Sequence, residues 1–563
     1  MLYGTLHSNS TLFSLHHLQK LNLSRNDFNR SVISSSFGQF LHLTHLNLNS
    51  SNFAGQVPPE ISHLSRLVSL DLSSNSEELM LEPISFNKLA QNLTQLRELY
   101  LGGVNMSLVV PSSLMNLSSS LSSLQLWRCG LKGELPDNLF RRSNLQWLDL
   151  WSNEGLTGSF PQYNLSNALS HLDLSYTRIS IHLEPDSISH LKSVKKMYLN
   201  GCNFAGSNLD LLGNLTQLIE LGLAGNNQLG DISHNLLNGT IPSSLFSMPS
   251  LHFLLLNNNL LYGQISPFLC NSLQYINLSF NKLYGQIPPS VFKLEHLRLL
   301  RLSSNDKLTE NISSVICELK FLEILDLSNN GFSGFIPQCL GNFSDGLLVL
   351  HLGGNNLHGN IPSIYSEGNS LTYLNFNGNQ LKGAIPSSII NCVNLEFLDL
   401  GNNMIDDTFP SFLETLPKLK ILDLSNNSLS GPLPTEYFNN FKAMMSIDQD
   451  MDYMRTKNVS TSYVFSVQLA WKGLQTVFPK IQIALTTLDL SRNKFTGKIP
   501  ESLGKLKSLK QLNLSHNSLI GCIQPSLGNL TNLESLDLSS NLLAGRIPQE
   551  LVDLTFLQVL NLS

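Results

Sequence analysis

The chain has 563 residues, of which 42% are hydrophobic and 13% are charged, and its formal net charge is −6. The charged share is about half of that in an average soluble protein, yet the Leu-rich apolar content excludes intrinsic disorder. The weak acidity argues against a nucleic-acid binder. The chain has no run of 18 apolar residues that predicts a membrane helix, and Met1–Ser10 does not read as a signal peptide. Seven cysteines are too few for a disulfide-dense scaffold.

A nine-residue motif, LxxLxLxxN, recurs along the chain and decides the predicted architecture. It first stands at 18–26 as LQKLNLSRN and returns, for example, at 322–330 and 533–541. With apolar replacements allowed, 21 starts can be placed, and 16 of the 20 intervals between them are 24 or 25 residues. The starts are residues 18, 43, 67, 96, 121, 145, 169, 194, 218, 251, 273, 297, 322, 347, 371, 395, 419, 485, 509, 533 and 557.

Each unit has a simple physical interpretation. The apolar residues at positions one, four and six of the motif point inward from a short strand, and the residues between them point outward. The Asn at position nine is placed to bond the backbone of its own turn and of the neighbouring coil. No unit buries its own core, but stacked neighbours do. We therefore predict one curved solenoid, about 100 Å long at 4.8 Å per strand.

A Gly-x-x-Pro element follows the motif in ten units, for example at Gly55–Pro58, Gly285–Pro288 and Gly497–Pro500. Together the two elements resemble leucine-rich repeat proteins of the plant extracellular subtype, with the consensus LxxLxLxxNxLxGxIPxxLxxLxxL. The resemblance covers nearly the whole chain. It implies an α/β-type leucine-rich repeat solenoid, a curved right-handed superhelix with short parallel strands on the concave face and 3-10 or irregular segments outside.

Four intervals depart from the repeat length: 67 to 96 has 29 residues, a loop insertion, 251 to 273 has 22, a minor trim, and the other two are more informative. The 33 residues from 218 to 251 contain ISHNLLNGTIPSSLF, which reads as a unit starting at 227 whose first strand has almost vanished. A deletion or mis-spliced gene model explains this, and a real local irregularity is the alternative. The 66 residues from 419 to 485 hold a non-repeat insertion at 437–484, and long loops of this kind are usually functional. The predicted organisation is thus repeats 1–17 at 1–436, the insertion at 437–484, and repeats 18–21 at 485–563, the last truncated.

The insertion resembles the island of plant receptor-like proteins of the Cf disease-resistance type, and we call 437–484 the island segment. The family's island opens with Tyr-Phe-x-x-Phe-x-x-Met, here from Tyr437, and closes near Lys-Gly, here Lys472-Gly473; Trp471 departs from the family pattern. The resemblance implies the ectodomain of a kinase-less receptor on the extracellular face of the plasma membrane. Such receptors perceive a microbial or developmental peptide or protein and signal through adaptor and co-receptor kinases.

The family's caps and membrane helix have no counterpart in this sequence. We therefore expect an ectodomain fragment whose full-length form is anchored by a helix that this chain does not contain. Two other interpretations stay open. One is a secreted repeat protein that inhibits a microbial wall-degrading enzyme, although such inhibitors have about half as many repeats and no island. The other is a non-functional truncated gene product.

Catalytic and cofactor motifs are absent from the sequence. There is no HExxH, no CxxC pair, no phosphate-binding GxxxxGK[ST] and no kinase signature set. Asp448, Asp450 and Asp452 alternate as calcium ligands do, but the required Gly and closing Glu are missing, so a solvated acidic loop is the better interpretation. We predict a binding protein that is not an enzyme, without cofactor, metal or nucleic acid.

Two surfaces are candidates for ligand binding, because Trp, Tyr and Arg are enriched in binding hot spots. The first, which we call the aromatic patch, lies at outward positions of units four to eight: Tyr100, Trp127, Arg128, Trp147, Trp151, Tyr176 and Tyr198. Stacking that merely stabilises the sheet is the alternative role for these rings. The second lies in the island segment: Tyr453, Arg455, Tyr463, Trp471 and Lys472. The family resemblance favours the island, and it implies a co-receptor surface at Lys510, Gln511, Asn513 and His516.

Four cysteines and six glycosylation signals also have predicted roles. Cys129 and Cys202 occupy the Asn position of the motif and read as buried thiols. Cys317 and Cys339 lie on adjacent coils; the resemblance implies a disulfide between them, and two free thiols are the alternative. Of 18 Asn-x-Ser/Thr signals, those predicted on the outer side are candidates for glycans: Asn92, Asn116, Asn214, Asn342, Asn458 and Asn529.

Overall fold

A computed structural model describes residues 1–162, 165–204, 209–225, 237–343, 346–435, 437–446, 452–456 and 463–563. The chain divides into two compact units, 1–273 and 274–563. In the first, a three-residue strand begins two residues after every predicted start, and together these strands form a parallel sheet, the main sheet. Its strands are Lys20–Asn22, His45–Asn47, Ser69–Asp71, Glu98–Tyr100, Ser123–Gln125, Trp147–Asp149, His171–Asp173, Lys196–Tyr198, Glu220–Gly222 and Phe253–Leu255.

The second unit repeats the same arrangement with the same spacing. Neighbouring strands pair in parallel and in register, as Leu325 with Leu350 shows. The main-sheet strands are Tyr275–Asn277, Leu299–Arg301, Ile324–Asp326, Val349–His351, Tyr373–Asn375, Phe397–Asp399, Ile421–Asp423, Thr487–Asp489, Gln511–Asn513, Ser535–Asp537 and Val559–Asn561. The repeat pattern and the leucine-rich repeat fold that it predicts are confirmed.

Outer strands of two to five residues follow most of the turns away from the main sheet. In the first unit they are Gly55–Gln56, Leu79–Met80, Lys132–Glu134, Gly155–Ser159, Arg178–Ile181, Asn203–Phe204, Asn238–Thr240 and Leu260–Gly263. In the second they are Lys282–Gly285, Lys307–Asn311, Gly331–Phe335, Asn356–Gly359, Gln380–Gly383, Met404–Ile405, Ser430–Pro432, Lys494–Lys498, Ser518–Gly521 and Leu542–Leu543. A separate antiparallel hairpin, Val467–Trp471 with Leu474–Phe478, belongs to the island segment.

Helices form the layer opposite the main sheet. The α-helices are Pro83–Asn92, Pro185–His190 and Lys442–Met445. The 3-10 helices of the first unit are Thr11–Ser14, Ser35–Gln39, Pro59–His63, Pro111–Asn116, Asp137–Arg141, Leu209–Asn214 and Ser243–Ser247. Those of the second are Pro289–Lys293, Ser314–Glu318, Gln338–Leu340, Ser387–Asn391, Ser411–Thr415, Tyr437–Asn439, Glu501–Lys505, Pro525–Asn529 and Gln549–Asp553. The core lies between this layer and the main sheet, where Leu67, Leu70 and Leu72 of one unit are fully buried.

The Asn at position nine forms the expected ladder, and Asn305 shows its bonding. This residue is fully buried. Its Nδ2 donates to the carbonyl oxygens of Leu302, in its own turn, and of Leu278, one coil earlier, at 3.0 and 3.1 Å. Its Oδ1 accepts from the amide of Leu283 at 3.0 Å. One side chain thus bonds three buried backbone groups, and the carbonyls of Leu278 and Leu302 also accept from Asn281 and Asn330.

We expect Asn305→Ala to destabilise the chain by about 1–3 kcal/mol, because the amide of Leu283 loses its acceptor and an unsatisfied buried polar group costs roughly that much. Chemical denaturation followed by circular dichroism measures the change. The control is Asn356→Ala on an exposed outer strand, where surface substitutions shift stability by about 0.5 kcal/mol or less. Equal effects of the two substitutions would show that the ladder is not a stabilising element.

Cys129 and Cys202 take the ladder position in two units of the first half. Both are fully buried and free, and each thiol donates to a carbonyl of the preceding coil, Leu101 at 3.2 Å and Leu174 at 3.1 Å. Burial raises the pKa of Cys202 to about 12 and that of Cys129 even further. These thiols are structural replacements for Asn and are not reactive groups.

Within its described residues, the irregular interval from 218 to 251 holds one strand of the main sheet, Glu220–Gly222. The strand Glu220–Gly222 pairs directly with Phe253–Leu255, whereas Asn238–Thr240 joins the outer strand Leu260–Gly263. The ladder amide of Asn259 accordingly reaches back 36 residues to Leu223. The predicted remnant of a first strand at 227–235 lies outside the described residues.

Candidate ligand-binding surfaces

The aromatic patch of the first unit is a set of stacked rings on the face of the main sheet that points away from the core, the open face. Trp147 stacks on His171 of the next strand at 3.9 Å between ring centroids, and His171 contacts Tyr198 at 6.0 Å. Burial lowers the pKa of His171 to about 4, and the charge of Lys196 lowers it as well. The imidazole is therefore neutral at physiological pH and packs as an aromatic ring.

A second group of rings lies beside this stack. Trp127 contacts Trp151 at 6.3 Å, and the guanidinium of Arg128 lies 4.6 Å above the Trp151 ring. The indole of Trp127 covers Gly102, where any Cβ would overlap the ring. Among the predicted residues Trp147 and Arg128 are exposed, whereas the others are half-buried: Tyr100, Trp127, Trp151, Tyr176 and Tyr198. This geometry supports the stacking role for most of these rings.

Gly102→Ala is expected to displace the Trp127 indole and to lower the free energy of unfolding by about 1–3 kcal/mol, as is usual when an extra methyl group overpacks a contact. Two measurements are expected to change: the melting temperature should fall, and the near-ultraviolet circular dichroism of the tryptophans should differ from wild type. A double-mutant cycle with Trp127→Ala provides the control, because the penalty of the alanine methyl should vanish once the ring is gone. A full penalty in the Trp127→Ala background would refute the contact.

The first part of the island segment belongs to the repeat that precedes it. Phe438, Phe441 and Met444 are fully buried. Phe438 packs on Phe409 at 5.3 Å, and the carbonyl of Met444 accepts from the amide of Ser508 at 3.0 Å. The Tyr-Phe-x-x-Phe-x-x-Met element thus fills the helical outer layer, and we propose that the non-repeat part begins after Met445.

The rest of the island segment crosses the open face of the second unit. Lys472 and Gly473 form the two-residue turn of the hairpin, both with positive φ (52° and 81°), as tight hairpins require. Their Lys-Gly pair therefore does not close the island as the family pattern predicts, because the chain returns along Leu474–Phe478. The inner face of the hairpin, Val467 and Leu469, is buried.

The segment before the hairpin, which contains Phe465 and Ser466, lies on an apolar surface that was not predicted from the sequence. In six successive repeats of the second unit the third position of the motif, which points outward, is apolar and fully or almost fully buried: Leu299, Ile324, Val349, Tyr373, Phe397 and Ile421. We call these residues the apolar stripe. Tyr373 contacts Phe465 of the island at 4.9 Å, and its hydroxyl donates to the carbonyl of Ser466 at 2.8 Å. Outward apolar residues in successive units were the available signal that this face is covered.

A buried polar cluster fixes the base of the island. The hydroxyl of Tyr463 donates to Asp326 Oδ2 at 3.1 Å, and Arg301 Nε donates to the same oxygen at 3.0 Å. His351 Nδ1 lies 3.5 Å from Asp326 Oδ1. Burial alone would raise the pKa of Asp326, but the neighbouring His351 and Arg301 outweigh it and lower this pKa. An ionised carboxylate therefore holds the island at this point.

The tip of the hairpin is fixed by a second set of polar contacts. Lys472 Nζ donates to Glu534 Oε2 at 2.7 Å and to Gln558 Oε1 at 2.8 Å. Lys510 Nζ approaches the other oxygen of Glu534 at 3.1 Å. Partial burial raises the pKa of Glu534, but the two ammonium groups outweigh it and lower this pKa. The island thus reaches from the strand Leu299–Arg301 to the last two strands of the chain.

This docking changes the roles of several predicted residues. Tyr463 is 3% exposed and Gln511 2% exposed; the first anchors the island, and the second offers no surface to a partner. Asn513 is also buried, and its amide donates to Asp489 Oδ2 at 3.0 Å. Only Lys510, which is half-buried, and His516, which is exposed, remain available for a co-receptor.

The outer side of the island segment carries the exposed candidates. Tyr453 is exposed and pairs with Lys480, whose Nζ lies 5.7 Å from its ring. Arg455 forms an ion pair with Asp452 at 2.7 Å, so Asp452 is engaged by a cation of its own chain; Asp448 and Asp450 lie outside the described residues. Trp471 and Lys472 are half-buried at the tip, beside Leu474 and Val477, which are 72% and 64% exposed.

The remaining predicted sites lie on the outer layer. Cys317 and Cys339 are joined by a disulfide that links two successive 3-10 helices, with 6.1 Å between their Cα atoms. The predicted glycan acceptors that the structure describes are all exposed at or just after the end of an outer helix: Asn92, Asn116, Asn214, Asn342 and Asn529. Asn458 lies outside the described residues.

The described residues contain neither a metal-binding cluster nor a membrane-spanning helix. Among the described residues, no three His, Cys, Asp or Glu side chains form a cluster that could hold a metal ion. Within the same ranges, none of the helices has the length and apolarity needed to span a bilayer.

Sequence profiles of leucine-rich repeats match the chain in both halves. The profile described as Leucine Rich Repeat matches residues 17–40, 42–64, 272–294, 321–343 and 532–554. A second leucine-rich repeat profile matches 143–204. The profile described as Leucine Rich repeats (2 copies) matches 369–411, 393–435 and 483–529.

Curated relatives are plant receptors. The chain is 42% identical over 207 residues to receptor-like protein 9DC1 of Solanum pimpinellifolium, which is 36% of this chain and 23% of that protein. It is 42% identical over 195 residues to receptor-like protein Cf-9 of the same species, covering 34% and 22%. It is 33% identical over 376 residues to receptor-like protein 32 of Arabidopsis thaliana, covering 61% and 39%. The matches thus span less than half the length of these relatives.

Solved structures with the same fold include plant receptors. One is the plant peptide hormone receptor RGFR1 in complex with RGF2, at 28% identity and a TM-score of 0.71, covering 100% of this chain and 84% of that one. Another is the Arabidopsis receptor kinase HAESA in complex with the peptide hormone IDA and the co-receptor SERK1, at 25% identity and 0.58, covering 100% and 76%. From its repeats and its fold, the chain belongs to the leucine-rich repeat proteins, and over part of their length it is similar to plant receptor-like proteins.

Proposed function

We propose that this chain is the ligand-binding ectodomain of a kinase-less plant cell-surface receptor. In this proposal it perceives a microbial or developmental peptide or protein and signals through partner receptor kinases, without catalysis of its own. The full-length form is held on the extracellular face of the plasma membrane by a helix outside this sequence. The relatives named receptor-like proteins and the peptide-bound structural neighbours support this assignment.

One observation carries the proposal: the island segment is docked on the open face and presents its outer side to solvent. Its inner side is occupied by Tyr463, Phe465 and Leu469, all buried. Because exposed apolar groups such as Leu474 and Val477 are otherwise costly to leave in water, we assign the outer side, with Tyr453, Arg455, Trp471 and Lys472, as the primary ligand surface.

The aromatic patch is the second candidate surface. Only Trp147 and Arg128 of this patch offer exposed groups, since its other rings stack on their neighbours. We therefore propose that Trp147 and Arg128 contact ligand, and that Tyr100, Trp127, Trp151, Tyr176 and Tyr198 support the sheet. Lys510 and His516 are retained as the proposed co-receptor contacts.

The proposed function is tested with the full-length form expressed in leaf cells. Extracellular fluid from infected and from uninfected leaves serves as the ligand source, and the oxidative burst and co-precipitation of receptor kinases are the readouts. We expect a response that is lost when Tyr453, Leu474 and Val477 are replaced together by serine. The matched control replaces Tyr284 and Phe335 with serine, which are exposed on outer strands, and it should respond normally.

Two outcomes would contradict the proposal. One is a normal response and normal kinase co-precipitation in the triple island variant, which would reject the island as the ligand surface. The other is no response at all, together with inhibition of a microbial polygalacturonase by the purified chain, which would establish the secreted inhibitor instead. Wild-type and variant chains must reach the membrane in equal amounts for either result to count.

A further inference from the structure

A polar cleft opens beneath the tip of the hairpin, where the island meets the last strands of the chain. Its volume is about 320 Å³, which suits one amino-acid side chain or chain end. Gly473 and Leu474 of the island form one wall, and Arg492, His516 and Asp537 stand on the other. The cleft therefore needs both the island and the repeats to exist.

The walls of the cleft are held in place from two directions. Lys472, adjacent to Gly473, bonds Glu534 and Gln558 and so fixes the tip above the strands. On the opposite wall, Arg492 and His516 occupy the position before the ladder Asn in successive units, each with φ 52°. Their backbone amides donate to the next coil, Arg492 to Ser515 and His516 to Ser539, both at 2.9 Å.

The polar groups of the cleft are unequally satisfied. Asp537 is fully engaged, because its Oδ1 accepts from the amide and hydroxyl of Ser539 and its Oδ2 accepts from Asn561 at 3.2 Å. The guanidinium of Arg492, by contrast, is exposed and has no acceptor among the described residues. Arg492 thus offers the cleft a cationic donor that its own chain leaves unpaired in the described residues, and Leu474 supplies an exposed aliphatic edge beside it.

We propose that this cleft binds a carboxylate of the peptide or protein ligand, with Arg492 as the contact that pairs with it. A guanidinium recognises a carboxylate through two parallel hydrogen bonds, which a neutral amide does not reproduce. Leu474 packs against the aliphatic part of the group that carries the carboxylate, and Lys472 is a positioning residue that keeps the tip in place. The assignment rests on the proposed receptor function and names one contact of its ligand.

The experiment uses small probes and saturation-transfer NMR on the purified chain. The probes are N-acetyl-leucine, its neutral amide, and N-acetyl-aspartic acid α-amide, each at millimolar concentration. We expect at least one of the carboxylates to bind and the neutral amide to bind at least tenfold more weakly. Binding of N-acetyl-leucine indicates a chain terminus as the source of the carboxylate, and binding of the aspartyl probe indicates an acidic side chain.

Two variants locate the binding. Arg492→Gln should weaken the carboxylate probe at least tenfold, and Lys472→Met should weaken it as well by loosening the tip. The matched control is Arg25→Gln, since Arg25 is exposed, holds the same position in its unit and also has positive φ, but lies in the first unit; it should leave binding unchanged. Equal melting temperatures show that the variants are folded.

The proposal fails if acid and amide bind alike, if no carboxylate binds, if Arg492→Gln binds as wild type does, or if Arg25→Gln is impaired equally. None of these results touches the leaf response or the kinase co-precipitation, so a failure here is distinct from a failure of the receptor function. Conversely, if the chain binds the carboxylate probe but elicits no response in leaf cells, the carboxylate site is supported and the receptor function is rejected.

Discussion

Asp326→Ala is expected to release the base of the island segment and to destabilise the second unit by about 3–5 kcal/mol, the usual cost of removing one partner of a buried ion pair. The substitution leaves the guanidinium of Arg301 without its carboxylate and the hydroxyl of Tyr463 without its acceptor. Hydrogen exchange read by mass spectrometry should show the loss directly, as faster exchange across 463–481, and denaturation gives its free energy.

The matched control for this substitution is Asp71→Ala. Asp71 holds the same motif position in the first unit and, like Asp326, accepts from the amide and hydroxyl of the Ser two residues later. Asp71→Ala therefore measures the stability lost when only the hydrogen bonds to the Ser of the turn are removed. Replacing Arg301 with Met and Asp326 with Leu together removes both charges, and should recover much of the loss. Wild-type protection of 463–481 in Asp326→Ala would show that the cluster does not anchor the island.

The local part of this structure follows from the sequence because each unit depends only on its neighbours. Inward Leu, ladder Asn and Gly-x-x-Pro repeat at a fixed spacing, so the strands, the turns and even the exceptional Cys129 and Cys202 are predictable from position. The same logic explains why the strand starts agree throughout the described residues.

The docking of the island is not predictable in the same way. Tyr463 and Asp326 are 137 residues apart, and nothing in the spacing of the repeats connects them. The sequence did hold a partial signal in the apolar stripe, where Ile324, Val349 and Phe397 stand at positions that water normally reaches. Such a stripe predicts that a face is covered without indicating which segment covers it. Because the docking of the island was not foreseen, Gln511 and Asn513 were predicted to be accessible, and both are buried in the structure.

The stability of the second unit is expected to fall as the pH rises from about 4 to above 7, because of three aspartates on adjacent strands of the open face. Asp399 pairs in register with Asp423, and Asp423 with Asp489. All three are at most 4% exposed, whereas Asp71 at the same motif position is half-buried. Burial raises the pKa of each carboxyl from 3.8 to about 7, and the neighbouring carboxylates of the row raise it as well.

The sign follows from proton counting. Between about pH 4 and 7 the unfolded chain has released these protons and the folded chain still holds them, so the folded state is favoured less at each step upward. The contribution is complete below the unfolded pKa of 3.8 and is lost as the pH passes about 7. Three pKa units correspond to about 4 kcal/mol per carboxyl as an upper limit, since one unit is 1.36 kcal/mol.

Asp423→Asn isolates this effect. The amide oxygen can still accept from Ser425, as Asp423 Oδ1 does at 2.8 Å, and the new NH2 group can donate to a neighbouring carboxylate, as Asn513 does to Asp489. We therefore expect Asp423→Asn to stabilise the chain at pH 8 by up to about 4 kcal/mol and to change little at pH 4. The exposed Asp306→Asn serves as the control and should shift stability equally at both pH values. A stabilisation by Asp423→Asn that does not depend on pH would mean that the three carboxyls are ionised in the folded chain at pH 4 as well as at pH 8, and it would contradict their raised pKa values.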